Sequence, residues 1–177
     1  MPNLRVLHVS DLHAGPREEP EVEADLRSLV RETRLDLEDF VFPVFVAPEP
    51  LPNDALPALS RLTVEELVAE AEQCVSLGVS ALLLFGLPEE KDDRGSGAWD
   101  DDGIVQQALR AIRAQVPELV LITDVCLCEY TSHGHCGVLD GEEVANDETL
   151  ELLARTAVSH ADAGANANYV GPDFFRT

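Results

Sequence analysis

Short apolar segments alternate with amphipathic helical segments along most of the chain, and this alternation is the feature that most constrains its fold. The strand-like segments are residues 40–46, 79–85 and 119–125. The helical segments that follow them are residues 63–77, 104–116 and 146–163. Repeated strand–helix units of this size predict a parallel sheet with ligands at the carboxyl ends of its strands. The sheet could be open and doubly wound, or part of a (β/α) barrel, because a full barrel takes roughly 250 residues.

Local signals set the ends of these helices. Thr63 and Glu66 have the spacing of a capping box, which predicts that a helix begins after Thr63. Gly78 is expected to end that helix, and Cys74 within it is expected to be a small core residue. Asn146 is predicted to be the N-cap of the third helix.

Weaker patterns predict the rest of the chain. Residues 4–12 are expected to form a strand, 14–23 a linker and 24–33 a helix. Residues 47–62 are proline-rich and predict a long loop, while 168–170 could begin a further strand.

The charge balance excludes some partners. The chain carries 12 basic and 34 acidic residues, a formal net charge of −22, which repels nucleic acid and anionic lipid. No apolar run approaches the roughly 18 residues of a membrane helix, and the first residues lack the layout of a secretory signal. We therefore expect a cytoplasmic protein without nucleic-acid or membrane partners. Lys91 is its sole lysine.

Three cysteines, Cys126, Cys128 and Cys136, directly follow the third predicted strand. Thiolates suit zinc, and three protein ligands with one open position are the arrangement of catalytic zinc. The spacing favours metal binding, with a redox thiol pair or a purely structural loop as alternatives. His133 and His135 in the same loop could be ligands, neighbours of the ligands or surface residues.

The cysteine loop, Asp124-Val-Cys-Leu-Cys-Glu-Tyr-Thr-Ser-His-Gly-His-Cys136, resembles the zinc-binding loop of the porphobilinogen synthase (delta-aminolevulinic acid dehydratase) family. The resemblance covers about residues 26–165. Further matching segments, in the order of the family, are residues 29–35, 42–46, 84–86, 91–96, 102–105 and 146–150.

This resemblance implies an α/β fold, a partial TIM-type (β/α) barrel. It also implies the family's reaction, the dehydrating condensation of two delta-aminolevulinic acid molecules to porphobilinogen in tetrapyrrole (heme) biosynthesis, by a zinc-dependent lyase that forms homo-oligomers. Cys126, Cys128 and Cys136 would hold the catalytic zinc, which acts as a Lewis acid. Asp124 is a candidate catalytic contact beside the metal, and Ser132 is a weaker one.

The sequence departs from the family in its ends and its lysines. Residues 1–23 are a divergent strand and linker, 24–165 resemble the family's barrel, and 166–177 form a divergent tail whose asparagines are poor strand residues. The family's two active-site lysines, one of which forms a Schiff base, come from the later half of the barrel. Lys91 matches a loop position instead, so the chain alone is expected to be inactive.

Two alternatives come from other functional classes. The chain could be a non-catalytic zinc-binding or assembly module, because half a barrel exposes sheet edges that favour self-association. It could also be a metallophosphoesterase, since Asp11 and His13 resemble the opening metal-ligand motif of the calcineurin-like enzymes. The later motifs of that class are missing from the sequence, so this alternative depends on about a dozen residues.

Overall fold

The computed structural model describes residues 28–30, 35–53 and 59–170. The chain divides into two compact units, Met1–Leu35 and Asp36–Thr177, and the second contains the sheets and helices given below. The predicted strand at 4–12 and linker at 14–23, with Asp11 and His13, lie outside the described residues. Of the helix predicted at 24–33 only residues 28–30 are described, and 28–29 are helical.

Parallel strands alternate with helices, as the sequence predicts. The strands are β1 (Val41–Val46), β2 (Arg61–Leu62), β3 (Ala81–Gly86), β4 (Val120–Asp124), β5 (Leu139–Asp140), β6 (Glu143–Val144) and β7 (Ala167–Tyr169). The helices are α1 (Val64–Leu77), α2 (Ile104–Gln115) and α3 (Asn146–Ala163), with short 3₁₀ turns at Leu37–Asp39 and Ser96–Trp99. A parallel five-stranded sheet has the order β2-β1-β3-β4-β7, and β5 and β6 form a separate antiparallel hairpin.

One face of the sheet is covered by helices and carries the main core. Successive strand side chains point to opposite faces, so alternate residues are buried under the helices. The buried strand positions are Val44, Val46, Leu82, Leu84 and Leu121, which cluster with Leu67, Ala71, Leu109 and Ile112 of α1 and α2. On the opposite face the Phe45 and Phe85 rings stack with their centroids 5.0 Å apart, and the side chains there are only half-buried.

The predicted ends of α1 are confirmed. The Thr63 hydroxyl accepts a hydrogen bond from the Glu66 N–H (3.2 Å), and the Glu66 carboxylate accepts one from the Thr63 N–H (2.8 Å). Gly78 ends the helix at φ +88°, a left-handed conformation that favours glycine. Cys74 is buried, as expected for a core residue.

The N-cap predicted for the third helix is wrong. Asn146 is the first helical residue, and Ala145 is the N-cap without any side-chain hydrogen bond. The Ala145 N–H donates to the Val138 carbonyl (2.8 Å), and its carbonyl accepts from the Thr149 N–H (2.9 Å). Backbone contacts to the preceding hairpin therefore decide where α3 begins.

Two short pairings lie in segments that the sequence analysis left as loops. β2 falls inside the predicted loop 47–62, and β5–β6 falls between the cysteines and α3. The strand expected at 168–170 forms as β7 at 167–169 and pairs with β4. The Asn166 carboxamide accepts from the Leu121 N–H (2.9 Å), and that of Asn168 accepts from the Thr123 hydroxyl (2.8 Å), which offsets their poor strand propensity.

None of the helices in the described ranges combines the length and the apolar character that spanning a bilayer requires.

Candidate metal centre

Two of the three cysteines project together from the end of β4. After Asp124 the chain buries Val125 and Leu127, so Cys126 and Cys128 alternate with them and lie on the other, half-buried side. Their sulfur atoms are 3.3 Å apart. The C-x-C spacing thus delivers two thiols to one point, because the residue between them belongs to the core.

A tight turn brings the third thiol back to this point. The N–H groups of Tyr130 and Thr131 both donate to the Leu127 carbonyl, at 2.9 and 2.8 Å. The Thr131 hydroxyl then donates to the His135 carbonyl (2.8 Å), next to Cys136. As a result the sulfur atoms of all three cysteines lie within 4.8 Å of one another.

The acidic loop that precedes α2, residues 89–102, is hydrogen-bonded to residues 131–133 of the cysteine loop. Asp92 and Thr131 form a parallel bridge, and the Ser132 N–H donates to the Asp92 carbonyl (2.9 Å). The Ser132 hydroxyl donates to the Asp93 carboxylate (2.6 Å), and the His133 ring contacts the Asp93 carbonyl (3.2 Å). Ser132 therefore lies at the rim of the loop, outside the cluster of thiols that the structure brings together.

Two carboxylates adjoin the thiols. Asp124, Cys126 and Glu129 form a second group whose ligand atoms lie within 4.8 Å of one another, and the Cys128 thiol donates to the Glu129 carboxylate (3.2 Å). Burial, then the charges of Glu129 and Cys126, raise the pKa of Asp124 to about 7. The sequence analysis named Asp124 but missed Glu129, although its position directly after Cys128 was a usable signal.

Contacts between the three thiols shift the pKa of each of them. The hydrogen bond between the Cys126 and Cys128 sulfur atoms lowers the pKa of the Cys126 thiol to about 6. That same hydrogen bond raises the pKa of Cys128, while burial foremost raises that of Cys136 to about 11. A divalent cation would replace these protons, since metal binding requires deprotonated thiols. Three thiolates at this spacing fit zinc, whose sites commonly combine sulfur and nitrogen or oxygen ligands.

A buried aromatic ring packs with the core residues that alternate with Cys126 and Cys128. Tyr130 is 4% exposed and packs with Val125 and Leu127 in a second core cluster. Its hydroxyl lies against Gly86 at the end of β3, where a Cβ atom would overlap it. The sequence analysis gave Tyr130 no role, because nothing local indicates that it reaches β3.

An open cleft of about 780 Å³ lies beside the acidic loop, near the amino ends of α1 and α2. Its lining includes the exposed Lys91 and Asp92, but not the cysteines. Lys91, the sole lysine, therefore lines this cleft and lies apart from the three thiols.

Comparison with known proteins agrees with the resemblance seen in the sequence. The family described as delta-aminolevulinic acid dehydratase matches residues 17–173. The dehydratase of Archaeoglobus fulgidus is 45% identical over 146 residues, which are 81% of this chain and 45% of that protein. The dehydratase of Bacillus subtilis is 46% identical over 144 residues, 80% of this chain and 44% of that protein.

A solved structure shows the same fold. It is the delta-aminolevulinic acid dehydratase (porphobilinogen synthase) of Toxoplasma gondii, in complex with the reaction product porphobilinogen. The TM-score is 0.79 at 30% identity, and the match covers 90% of this chain and 47% of that one. The partial TIM-type barrel is thereby confirmed, and this chain spans less than half the length of the curated relatives it matches. Family match, sequence identity and shared fold agree, and the chain belongs to the delta-aminolevulinic acid dehydratase family.

Proposed function

We propose that this chain is the zinc-bearing part of an enzyme that condenses two molecules of delta-aminolevulinic acid to porphobilinogen. The observation that carries the proposal is the convergence of three thiols within 4.8 Å at the carboxyl end of a central strand. Ligand sites of (β/α) folds lie at that edge. Membership of the family supplies the reaction.

Each candidate residue has a proposed task. Cys126, Cys128 and Cys136 hold the zinc, which when bound acts as a Lewis acid toward the substrate carbonyl. Asp124 ends β4 beside Cys126 and is proposed to contact the substrate. Ser132 has its hydroxyl on Asp93 at the rim and is proposed as a weaker contact.

The chain alone is proposed to have little or no turnover. A lysine that forms a Schiff base must lose its proton, which requires a desolvated or cationic environment. Lys91 is the sole lysine, and it is exposed in an acidic loop. Incubation with delta-aminolevulinic acid is expected to give no porphobilinogen above background, and formation at enzyme-like rates would contradict this.

A second candidate function is assembly, with or without metal. The β7 residues are all exposed, with Tyr169 45% exposed, and β4 is the one strand that pairs with β7 among the described residues, so β7 forms an edge of the described sheet. We propose that the chain forms homo-oligomers in the cytoplasm. Light scattering is expected to give a mass above the 19.3 kDa of one chain, and a clean monomer at high concentration would count against assembly.

Metal analysis tests the main proposal directly. The chain, purified under reducing conditions, is expected to contain about one zinc ion, and Cys126→Ser is expected to lose it. Cys74→Ala is the matched control, because it removes a buried thiol of α1 that is not part of the cluster. Absence of zinc from the unaltered chain, or its retention in Cys126→Ser, would overturn the proposal.

A further inference from the structure

We infer that two buried threonines, Thr131 and Thr149, are positioning residues that keep the Cys136 thiol in the metal site by fixing the backbone on either side of it. The inference rests on the proposed function, since it concerns a metal bound by the three cysteines. It goes further because it assigns part of the metal affinity to two side chains that are not ligands. Both act through the backbone, so the fourth coordination position stays open.

Cys136 is the thiol that most needs such support. Cys126 and Cys128 are half-buried and alternate with core residues directly after β4, whereas Cys136 is exposed. Residues 132, 134 and 135 before it are exposed as well. An exposed segment that becomes ordered only around an ion loses conformational entropy on binding, which lowers the affinity for the ion. The place of the third thiol therefore depends on contacts elsewhere in the loop.

Thr131 fixes the backbone before Cys136. The residue is 1% exposed, and its hydroxyl donates to the carbonyl of His135, directly before Cys136 (2.8 Å). Its carbonyl accepts from the Gly134 N–H (3.3 Å), and its N–H donates to the Leu127 carbonyl (2.8 Å). These three hydrogen bonds join the start of the exposed segment to its end and to the core. Removing the hydroxyl leaves the His135 carbonyl without this partner.

Thr149 fixes the backbone after Cys136. It is fully buried in the first turn of α3, and its hydroxyl accepts a hydrogen bond from the Val138 N–H (3.0 Å). Gly137, the residue between Cys136 and Val138, is buried against the same side chain, and a Cβ atom there would overlap it. The chain that follows Cys136 therefore packs on α3.

The other contacts of this segment are more accessible to water. The His133 ring contacts the Asp93 carbonyl (3.2 Å) and accepts from the His135 N–H (3.2 Å), but His133 is only half-buried and His135 is exposed. Water competes for such groups, which lowers the net contribution of their hydrogen bonds. Buried hydroxyls are shielded from this competition, so the two threonines contribute more to the position of Cys136.

The experiment titrates the full chain, purified without metal under reducing conditions, with Co²⁺ alone. The thiolate-to-cobalt charge-transfer absorption gives the dissociation constant. Thr131→Val and Thr149→Val remove the hydroxyl and are expected to raise that constant about tenfold or more, the scale typical of groups that orient metal ligands. Thr131→Ser and Thr149→Ser keep the hydroxyl and should stay within about threefold of the unaltered chain.

Thr156→Val is the matched control. Thr156 is also fully buried in α3, but its hydroxyl donates to the Leu152 carbonyl (2.9 Å), outside the cysteine loop. Its substitution should lower the free energy of unfolding, as loss of a buried hydrogen bond does, yet change the Co²⁺ dissociation constant less than about threefold. The affinity for Co²⁺ thus separates positioning of the thiol from a purely structural role.

A double-mutant cycle tests whether the threonines act through Cys136. If they do, Thr131→Val and Thr149→Val lose their effect on Co²⁺ binding in a Cys136→Ser background, where the third thiol is already absent. An equal loss of affinity in both backgrounds, or valine variants that bind Co²⁺ like the unaltered chain, would overturn the inference. Cooperative urea unfolding shows which variants fold, and alanine, which also lacks the hydroxyl, replaces a valine that prevents folding.

Failure of this inference can be told apart from failure of the metal site. If Co²⁺ gives no thiolate charge-transfer absorption with the unaltered chain, the metal proposal and the role of the threonines fall together. If the absorption appears and the valine substitutions do not change its dependence on Co²⁺ concentration, only the role of the threonines falls.

Discussion

A buried histidine on α3 should make the stability of the fold depend on pH. His160 is fully buried, and its Nδ1 lies 3.0 Å from the Thr123 hydroxyl. The Thr123 hydroxyl donates its proton to the Asn168 carboxamide, so it must accept a hydrogen bond from the His160 Nδ1–H. In this neutral ring Nε2 carries no proton and has no hydrogen-bond partner. Burial lowers the pKa of His160 from 6.5 to about 4, opposed by a hydrogen bond that the protonated ring would make to the Ala98 carbonyl.

The sign and size of the effect follow from linkage. Because the folded pKa lies below the unfolded one, the unfolded chain binds more protons as the pH falls. The contribution of neutral His160 is fully present above about pH 6.5 and is lost progressively toward about pH 4. These two values give a loss of about 2 kcal/mol between pH 7.5 and pH 5.

The assay is urea unfolding followed by circular dichroism at pH 7.5, 6.5, 5.5 and 5.0, with reductant and chelator present throughout. His160→Gln keeps a donor for Thr123 but does not titrate in this range. We expect the unaltered chain to lose about 2 kcal/mol more than His160→Gln between pH 7.5 and pH 5, while carboxylate effects common to both cancel.

Parallel stability curves for the unaltered chain and His160→Gln would refute the reasoning. They would mean that His160 is protonated equally in the folded and unfolded states. A steeper curve for His160→Gln would reverse the sign and refute it as well.

Substitutions at three further positions test the contacts that stabilise the helices and loops, each by its thermal midpoint and urea unfolding. Gly86→Ala should destabilise the fold by about 1–3 kcal/mol, because the new methyl group overlaps the Tyr130 hydroxyl; an unchanged midpoint would contradict this packing. Arg113→Lys should lower the free energy of unfolding by about 2 kcal/mol, because the guanidinium donates to three backbone carbonyls that one ammonium group cannot reach together. A decrease below about 0.5 kcal/mol would show that these hydrogen bonds are dispensable. Thr63→Ala should lower the free energy of unfolding by about 1 kcal/mol, because α1 loses the hydroxyl that caps it. Thr63→Ser keeps that hydroxyl and should change the free energy of unfolding little.

Local signals were sufficient for most of the fold. The capping box at Thr63 and the left-handed Gly78 fix α1 through contacts within a few residues, so the sequence predicts both ends correctly. The strands β1, β3 and β4 are apolar runs bounded by such helices, and their presence was predictable for the same reason.

Short pairings escaped prediction because they depend on distant partners. β2 has only two residues and exists through its pairing with β1. The start of α3 is set by backbone bonds between Ala145 and the hairpin, which outweigh the capping preference of Asn146. A two-residue strand has too little pattern of its own to be read from sequence.

The sequence by itself determined the parallel α/β architecture and the three cysteines, since periodicity, capping and the C-x-C spacing are all local properties, and its resemblance to the segments of a known family indicated the family. Tertiary structure alone decided which other groups join them. It placed Glu129 rather than the histidines against the thiols, and Tyr130 under Gly86. It also joined His160 to Thr123, 37 residues away, where burial rather than any neighbour in sequence sets its pKa. Such contacts arise when the chain folds back on itself, so their consequences are absent from the local sequence pattern.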